Sequence, residues 1–407
     1  MSVKYASGKK SVSVTDYKKI TDFAVNVDIS NRVEKFLGLK EVGSLNGAYA
    51  LQIYSCCERT FVFSGVTIYE LVGKNLSMVG AFDSVPDCVE VVYSGKSVPL
   101  FIGGGTAVIA NDERKTFTVS QGSAYAFFDG RLWSASGNRV SFSKPFSVDN
   151  LSVNLETDGY IDISGSSGEI LAILNLDGAL VVVSESSIHK ISTSANTIFT
   201  LETIVTQGFN AVKNTVATVG GKVVFICDNS LFVLENSQIK VVDKVAFDKQ
   251  FYIRNRARSK GGKYLLHVVI DNAEYIFVYD LVTGKGGLTS MYGGMSLADG
   301  GIVSYTNANC IYELDAEGVF LGESVWKSKA LNFGSHDKKS LVEVGFFSNE
   351  IGKLVISGDF GQREFSVYAG FNKKLINLTS VAFTFTFTCG ISLLVDDLKM
   401  KYISYGE

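Results

Sequence analysis

The sequence predicts an all-β fold, a six- or seven-bladed β-propeller followed by a small C-terminal β-sandwich. The first observation is the composition, because 40 Gly, 28 Phe and only 3 Pro among 407 residues are typical of many strands joined by glycine turns. The second is a hairpin unit that recurs along the chain. The third is the loss of that unit near residue 326, after which strand patterns continue without it.

The hairpin unit is clearest between Ala124 and Ser192, where it occurs twice. One apolar run ends at Asp129-Gly130 and another at Asp177-Gly178, and a second apolar run follows each pair. Asp-Gly between two apolar runs favours a two-residue turn, because a type I′ turn requires positive φ at both central residues. Each unit therefore predicts a meander of antiparallel strands.

Weaker glycine turns extend this series in both directions. One glycine per unit stands at positions 47, 95, 130, 178, 221, 262 and 301, which gives steps of 48, 35, 48, 43, 41 and 39 residues. Four short strands in a period of this length are typical of propeller blades, whose faces are covered only by the neighbouring blades. The seven positions predict six or seven blades within residues 41–325.

The two ends of the chain differ from this central part. Residues 1–40 form an irregular N-terminal segment that is a candidate for closing the propeller, and residues 31–37 after Ser30 favour a short helical turn. In residues 326–407, the alternation from Ala382 to Thr388 predicts a strand with one buried aromatic face and one Thr face. Several such strands predict a small β-sandwich.

Charge and apolar patterning exclude several classes of protein. A net charge of −3 argues against a broad basic face that wraps nucleic acid. The N-terminal residues lack the apolar core of a signal peptide, and no apolar run reaches the roughly 18 residues of a membrane-spanning helix. We therefore expect a soluble protein made in a reducing cytoplasm.

The cysteines show no metal-binding spacing. Six cysteines stand at positions 56, 57, 88, 227, 310 and 389, and none forms the CxxC pair of a zinc site. We interpret Cys56 and Cys57 as reduced thiols on a strand, and Cys227 and Cys389 as small core residues. The sequence predicts no metal site and no cofactor.

Histidine is scarce, and its contexts do not indicate catalysis. His189 and His267 lie in apolar strand runs and His336 in a polar turn. None has a neighbouring Ser and Asp, or a Cys, in an arrangement typical of a nucleophile and its base. We therefore expect no catalytic residues and no enzymatic activity.

One basic cluster is the candidate contact site, and it consists of Arg254, Arg256, Arg258, Lys260 and Lys263. The alternation in FYIRNRARSKGGK places the arginines on one face of a strand that leads into a loop. Such a face could contact the DNA backbone or an acidic neighbouring subunit. The alternative is a solvated edge strand whose charges discourage pairing with other chains.

Several segments, taken in their order along the chain, resemble one known family. They are RLWSASGNRVSFSKPFSVDN at 131–150, GYIDISGSSGEILAILNLDGALVVVSESSIHKIS at 159–192, GGKVVFICDNSLFVLENSQIKVVD at 220–243, YIFVYDLVTGKGG at 275–287 and FGSHDKKSLVEVGFF at 333–347. The chain resembles tail-tubular or nozzle-type structural proteins of tailed phages. The aromatic residue expected in that family after the turn of the fourth segment is missing here.

The resemblance implies a virion component that forms a ring around the tail axis, with the sandwich contacting neighbouring subunits. Its implied partners are copies of itself, neighbouring tail or portal-associated proteins, and DNA in transient passage through an exit channel. A mild net negative charge suits a channel through which phosphates must slide. Two alternatives stay open: a carbohydrate-binding or glycan-cleaving propeller that recognises a receptor, and a cytoplasmic propeller scaffold.

Overall fold

A computed structural model describes most of the chain. The described residues are 7–29, 33–35, 37–45, 50–73, 75–119, 121–145, 159–163, 168–193, 199–206, 209–227, 229–235, 237–244, 251–291, 295–305, 310–318, 322–390 and 393–405. Within them the only helical elements are one α-turn and one 3-10 turn. In the same ranges no helix is long and apolar enough to cross a membrane.

The N-terminal part of the chain consists of short strands and the α-turn. They are β1 (Ser7–Ser13), α1 (Tyr17–Ile20), β2 (Thr21–Val25), β3 (Val27–Ile29), β4 (Val33–Lys35) and β5 (Gly38–Ser44). The carboxylate of Asp16 accepts a hydrogen bond from the Lys19 backbone N–H, which caps α1. Residues 33–35 are a strand, so the expected helical turn over residues 31–37 is wrong there; residues 31, 32 and 36 lie outside the described ranges.

The central part folds into successive four-stranded antiparallel sheets, which are the blades of a propeller. Blade one comprises β6 (Gln52–Cys56), β7 (Arg59–Ser64), β8 (Thr67–Val72) and β9 (Asn75–Ala81). Blade two comprises β10 (Asp87–Tyr93), β11 (Lys96–Gly103), β12 (Thr106–Ile109) and β13 (Thr116–Thr118). Blade three comprises β14 (Ala124–Phe128), β15 (Arg131–Ser136), β16 (Arg139–Phe142) and β17 (Tyr160–Asp162). Blade four comprises β18 (Ile170–Leu176), β19 (Ala179–Ser184), β20 (Ser187–Thr193) and β21 (Phe199–Thr206). Blade five comprises β22 (Ala217–Val219), β23 (Lys222–Cys227), β24 (Ser230–Glu235) and β25 (Gln238–Lys244).

Blades six and seven complete the ring. Blade six comprises β26 (Phe251–Ile253), β27 (Arg258–Lys260), β28 (Lys263–Ile270), β29 (Ala273–Asp280) and β30 (Lys285–Met291), and blade seven comprises β31 (Met295–Leu297), β32 (Ile302–Tyr305) and β33 (Cys310–Asp315). The N-terminal strand β5 pairs with β33 as the outermost strand of blade seven. The prediction of six or seven blades is confirmed, with a count of seven.

Contacts between the first strands of blades run around the ring from β6 through β10, β14, β18 and β22 to β27. Strand β27 then contacts the 3-10 turn Asp299–Gly301 of blade seven, and β31 of blade seven contacts β6 of blade one. At this seam the Ile53 backbone N–H donates to Ser296 Oγ at 3.0 Å, and Ser296 Oγ lies 2.8 Å from Ser304 Oγ. The first strands therefore line a central channel. The boundary drawn at residue 41 cuts through the closing strand, which begins at Gly38.

The first hairpin turn of each blade explains the glycine series. In blades two to six a two-residue turn has positive φ at both positions and glycine at the second, as at Asp129-Gly130 (50° and 67°) and Asp177-Gly178 (48° and 71°). These are the predicted type I′ turns. The series positions 95, 130, 178, 221 and 262 mark these turns, whereas position 47 lies outside the described residues. Blade one instead turns at Cys57-Glu58.

A β-sandwich follows the propeller in sequence and takes strands from both ends of the chain. Its C-terminal strands are β34 (Ser324–Ser328), β35 (Lys338–Ser348), β36 (Gly352–Gly358), β37 (Gly361–Val367), β38 (Gly370–Ser380), β39 (Thr384–Cys389) and β40 (Val395–Tyr405). One sheet has the order β3-β4-β40-β35-β38, with β1 also paired to β40; the other has the order β2-β34-β39-β36-β37. Strands β1 to β4 thus contribute to the sandwich, which corrects both the separate N-terminal segment 1–40 and the sandwich limits of 326–407.

The second sandwich sheet continues into blade six through the parallel neighbours β2 and β30. Asn26 stabilises this junction from a left-handed conformation with φ of 60° and is fully buried. Its Oδ1 accepts from the Ser290 backbone N–H at 2.8 Å, and its Nδ2 donates to Ser290 Oγ at 2.9 Å and to the Glu323 carbonyl at 3.2 Å. A short polar side chain satisfies three groups here, which a larger residue could not do in this backbone conformation.

Separate apolar cores hold the two parts of the fold. Phe383, Phe385 and Phe387 are fully buried in the sandwich, which confirms the alternating aromatic face. In the propeller, cores form between neighbouring blades: Trp133 of blade three packs in one cluster with Leu180 and Val182 of blade four. Its indole N–H donates to the Phe128 carbonyl at 3.0 Å.

The two tryptophans provide one reporter for each part, because Trp133 and Trp326 are both fully buried. We expect Trp133→Phe and Trp326→Phe variants each to show emission that iodide does not quench. Because β2, β30 and Asn26 join the sandwich to blade six, the fluorescence of the remaining tryptophan and the far-UV circular dichroism of each variant should give the same urea midpoint. Two separated midpoints would show that the junction does not couple the parts.

Candidate functional site

Four cations of the predicted basic cluster, Arg254, Arg256, Arg258 and Lys260, lie along the first strand of blade six, which faces the channel, and Lys263 begins the second strand, β28. The first strand is interrupted, so that β26 and β27 pair separately with β28. Between them the Arg254 backbone N–H donates to the His267 carbonyl at 3.0 Å, and the Ala257 N–H donates to the Asn214 carbonyl of blade five at 2.7 Å. These bonds hold residues 254–257 as a bulge directed into the channel.

His267 supports the bulge from inside the blade. The amide nitrogen of Asn255 lies 3.1 Å from His267 Nδ1, and His267 Nε2 lies 2.9 Å from Glu274. An amide nitrogen only donates, so Nδ1 accepts and Nε2 carries the proton that it donates to the carboxylate. His267 is fully buried, and this network orients the bulge, with no nucleophile among its partners.

Arg256 spans the channel. Its Nη1 lies 2.7 Å from the Asp87 carboxylate of blade two, and its Nη2 donates at 2.9 Å to the Ser123 carbonyl, which precedes the first strand of blade three. Blades two and three lie three positions from blade six in either direction, so these bonds cross the ring. Burial raises the pKa of Asp87 above its ordinary value, and the Arg256 charge opposes that shift.

Each of the other cluster cations also has a carboxylate partner in the same chain. The shortest distances are 3.4 Å for Arg258 with Asp299, 2.8 Å for Lys260 with Glu313, 3.1 Å for Lys263 with Asp280, and 3.7 Å for Arg254 with Glu274. The sequence located the cations but not their partners, because the partners of Arg256, Arg258 and Lys260 belong to other blades. The cluster links blade six to blades two and seven, and its charges are balanced.

Two cavities flank these pairs in the channel. One of ≈ 350 Å³ is lined by Tyr125, Asn214, Arg256 and Arg258 among others, and one of ≈ 330 Å³ is lined by Cys56, Cys57, Cys88 and Glu90 together with Arg258. The hydroxyl groups of two tyrosines at the channel are occupied. Tyr54 donates to the Pro86 carbonyl, and Tyr125 accepts from the Gly122 N–H, both at 2.7 Å.

A serine–histidine pair that the sequence analysis did not identify lies in blade four. Ser187 Oγ is 2.7 Å from His189 Nε2, and Thr203 Oγ1 is 3.1 Å from His189 Nδ1. The signal was Ser-x-His within one strand, since residues i and i+2 share a face. Ser187 and His189 are both buried, so the pair satisfies polar groups inside the blade and is closed to a substrate.

The channel pair should contribute to stability. We expect Arg256→Met to lower the free energy of unfolding by about 1–2 kcal/mol, because Asp87 then loses its charged partner in a partly buried position. Adding Asp87→Asn should restore part of the loss. Arg254→Met, whose contact is longer and more exposed, is the matched control and should change stability by less than about 0.5 kcal/mol. Urea denaturation measures all four proteins; equal stability of Arg256→Met and the natural chain would contradict the assignment.

His189 should make stability depend on pH. Burial lowers the pKa of His189 below its ordinary value. As the pH falls, the unfolded chain therefore takes up a proton at this position before the folded chain does. The contribution of neutral His189 to the free energy of unfolding is complete above about pH 6.5 and is lost as the pH falls below that value. We expect the Tm to fall less between about pH 7.5 and 5.5 in His189→Gln than in the natural chain. Exposed His336→Gln is the control, and an equal fall in all three proteins would contradict the prediction.

Comparison with known proteins shows no family for this chain. The chain matches no protein-family model and no curated protein. Among solved structures it is similar to the WD40 domain of Neurospora crassa Pan2, at 10% identity and a TM-score of 0.45, covering 69% of this chain and 96% of that one.

Two further structures show similar levels of likeness. The chain is similar to PorZ, a surface component of the type-IX secretion system of Porphyromonas gingivalis, at 12% identity and a TM-score of 0.44, covering 83% of this chain and 46% of that one. It is similar to Kluyveromyces lactis Hsv2 at 11% identity and a TM-score of 0.39, covering 74% of this chain and 95% of that one. None of these proteins supplies a function for this chain.

Proposed function

We propose that this protein is a non-catalytic structural component of a phage virion, which assembles with copies of itself into a ring at the tail or at the head-to-tail DNA exit channel. The observation that carries the proposal is an exposed apolar patch on the outer face of the sandwich. The resemblance of the ordered sequence segments to nozzle-type tail proteins supplies the class of assembly.

The apolar patch consists of Phe347, Phe371 and Leu375, which are 45%, 67% and 69% exposed. Phe347 and Phe371 are direct cross-strand neighbours on β35 and β38. The Phe371 ring lies against Gly345, where an added Cβ would be 3.4 Å from the ring. The rings thus form an ordered face next to the sheet edge, and ordered exposed apolar faces are typical of protein contacts.

A second copy of the chain is the occupant that we propose for this patch. Strand β38 is the outermost strand of its sheet, and β1 lies on the opposite side along β40. Lys374 on β38 and Lys9 and Lys10 on β1 are positioned to discourage direct strand-to-strand pairing. Lys373 lies on the face of the sheet between Phe371 and Leu375, where its charge is paired with Glu343 at 3.0 Å. Contact through the face of the sheet would bury the apolar patch and leave the charged strand edges unpaired. If this face binds a different surface of the next copy, repeated copies form a ring when the rotation between neighbours closes on itself.

The charge distribution supports passage of DNA through such a ring. The five cations of the basic cluster are paired with carboxylates, so they do not form an uncompensated surface that would hold phosphates. The net charge of −3 acts in the same direction, since phosphate binding grows with the number of cations that release counterions. The proposed role of the cluster is to hold blades together, in place of contacting DNA.

A glycan-binding or glycan-cleaving propeller is less well supported. A glycosidase needs two carboxyl groups that face the substrate, whereas the channel carboxylates Asp87 and Asp299 are paired with arginines. Sugar sites also use accessible aromatic faces, and Tyr54 at the channel is 4% exposed.

The oligomeric state tests the proposal. We expect light scattering to give a multimer of fixed stoichiometry for the natural chain, and electron microscopy to show rings. The double variant Phe371→Lys/Leu375→Lys should be monomeric at micromolar concentration, because two charges replace the apolar contact. Val282→Lys, at a position that is 87% exposed on blade six, is the matched control and should still assemble. A monomeric natural chain that binds glycans would overturn the proposal.

A further inference from the structure

The first turn of blade one departs from the rule that the other blades follow. Blades two to six place glycine at the second turn position, whereas blade one has Cys57 with φ of 51° and Glu58 with φ of 58°. Left-handed backbone is unfavourable for a residue that carries a Cβ atom. Two such residues in succession are a local strain that a glycine would remove, and strain of this kind is concentrated at functional sites.

The strained turn brings two thiols together beside a carboxylate. The sulfur atoms of Cys56 and Cys57 are 3.7 Å apart, and the Glu90 carboxylate offers an oxygen within 4.8 Å of both. Two sulfurs bound to one Zn²⁺ at about 2.3 Å in tetrahedral geometry are about 3.8 Å apart. The thiol separation therefore fits shared coordination, and it is too long for a disulfide, in which the sulfurs are about 2.05 Å apart.

A fourth donor comes from the neighbouring strand. Cys88 and Glu90 are residues i and i+2 of β10, so they lie on one face of blade two. Cys56, Cys57 and Glu90 offer ligand atoms within 4.8 Å of one another, and Cys88 lies in the wall of the same cavity. The four donors line one cavity of ≈ 330 Å³, and three sulfurs with one carboxylate oxygen are a set suited to a thiophilic metal ion.

We propose that Cys56, Cys57, Cys88 and Glu90 bind a divalent thiophilic metal ion of the Zn²⁺ class, which joins blade one to blade two at the channel. No zinc-site spacing is visible along the sequence, because the donors come from two blades. Glu90 is exposed, so the ion can enter from solvent, and Ser97 Oγ donates to Glu90 Oε1 at 2.5 Å and orients the carboxylate as outer groups do in metal sites.

Binding must release protons from the thiols, because the thiolate is the ligand. Metal affinity should therefore fall as the pH is lowered.

Titration of the reduced full-length chain with Co²⁺, a spectroscopic substitute for Zn²⁺, tests the site. We expect one equivalent to produce thiolate-to-cobalt charge transfer and the visible bands of tetrahedral cobalt, and added Zn²⁺ to remove both. We expect Cys57→Ser to weaken binding at least about 100-fold, and Glu90→Gln about 10–100-fold. Cys310→Ser changes a cysteine outside the cluster and should bind as the natural chain does.

A second measurement does not depend on the folding of any variant. X-ray absorption at the zinc edge of the natural chain should show sulfur neighbours at about 2.3 Å. The absence of saturable binding by the reduced chain, a first shell of oxygen and nitrogen alone, or binding that Cys57→Ser leaves unchanged while circular dichroism shows it folded, would each overturn the proposal.

Discussion

Closure of the ring is the constraint on which this structure depends. Each blade is a four-stranded sheet whose apolar faces are covered by the blades on either side, so an open end would expose a whole core face to water. The chain removes that end by returning β5 to blade seven. The contribution of β5 to the free energy of unfolding therefore exceeds the sum of the contacts that its seven residues make, because this strand joins the first blade to the last.

Polar networks fix the geometry that apolar burial leaves open. The bulge of blade six is held by His267 from behind and by Arg256 from across the channel, while Asn26 fixes the point at which blade six meets the sandwich. Burial of apolar area has no direction, whereas these bonds have specific partners and lengths. Blade six is thus the junction of the molecule, since it touches its two neighbours, the far side of the channel and the sandwich.

Local chemistry determined how much could be predicted from the sequence. Glycine turns have a short-range cause, positive φ, and five of the predicted positions mark the first turns of blades two to six. The turn of blade one was missed because Cys57-Glu58 carries no turn signature. Three features were missed for a common reason, which is that their partners are distant in sequence and no local spacing predicts them. They are the sandwich strands β1 to β4, the carboxylate partners of Arg256 and Arg258, and the proximity of Cys88 to Cys56.

The pairing of the two chain ends has a consequence for synthesis. Strand β1 pairs with β40, and β2 pairs with β34, so the first sandwich strands cannot complete their sheets until the last sandwich strands have been made. The ring can close earlier, when β5 pairs with β33, whereas the sandwich requires closure of loops that contain the whole propeller. Synthesis of β40, more than formation of any single blade, should set the moment at which the protein becomes resistant to proteolysis.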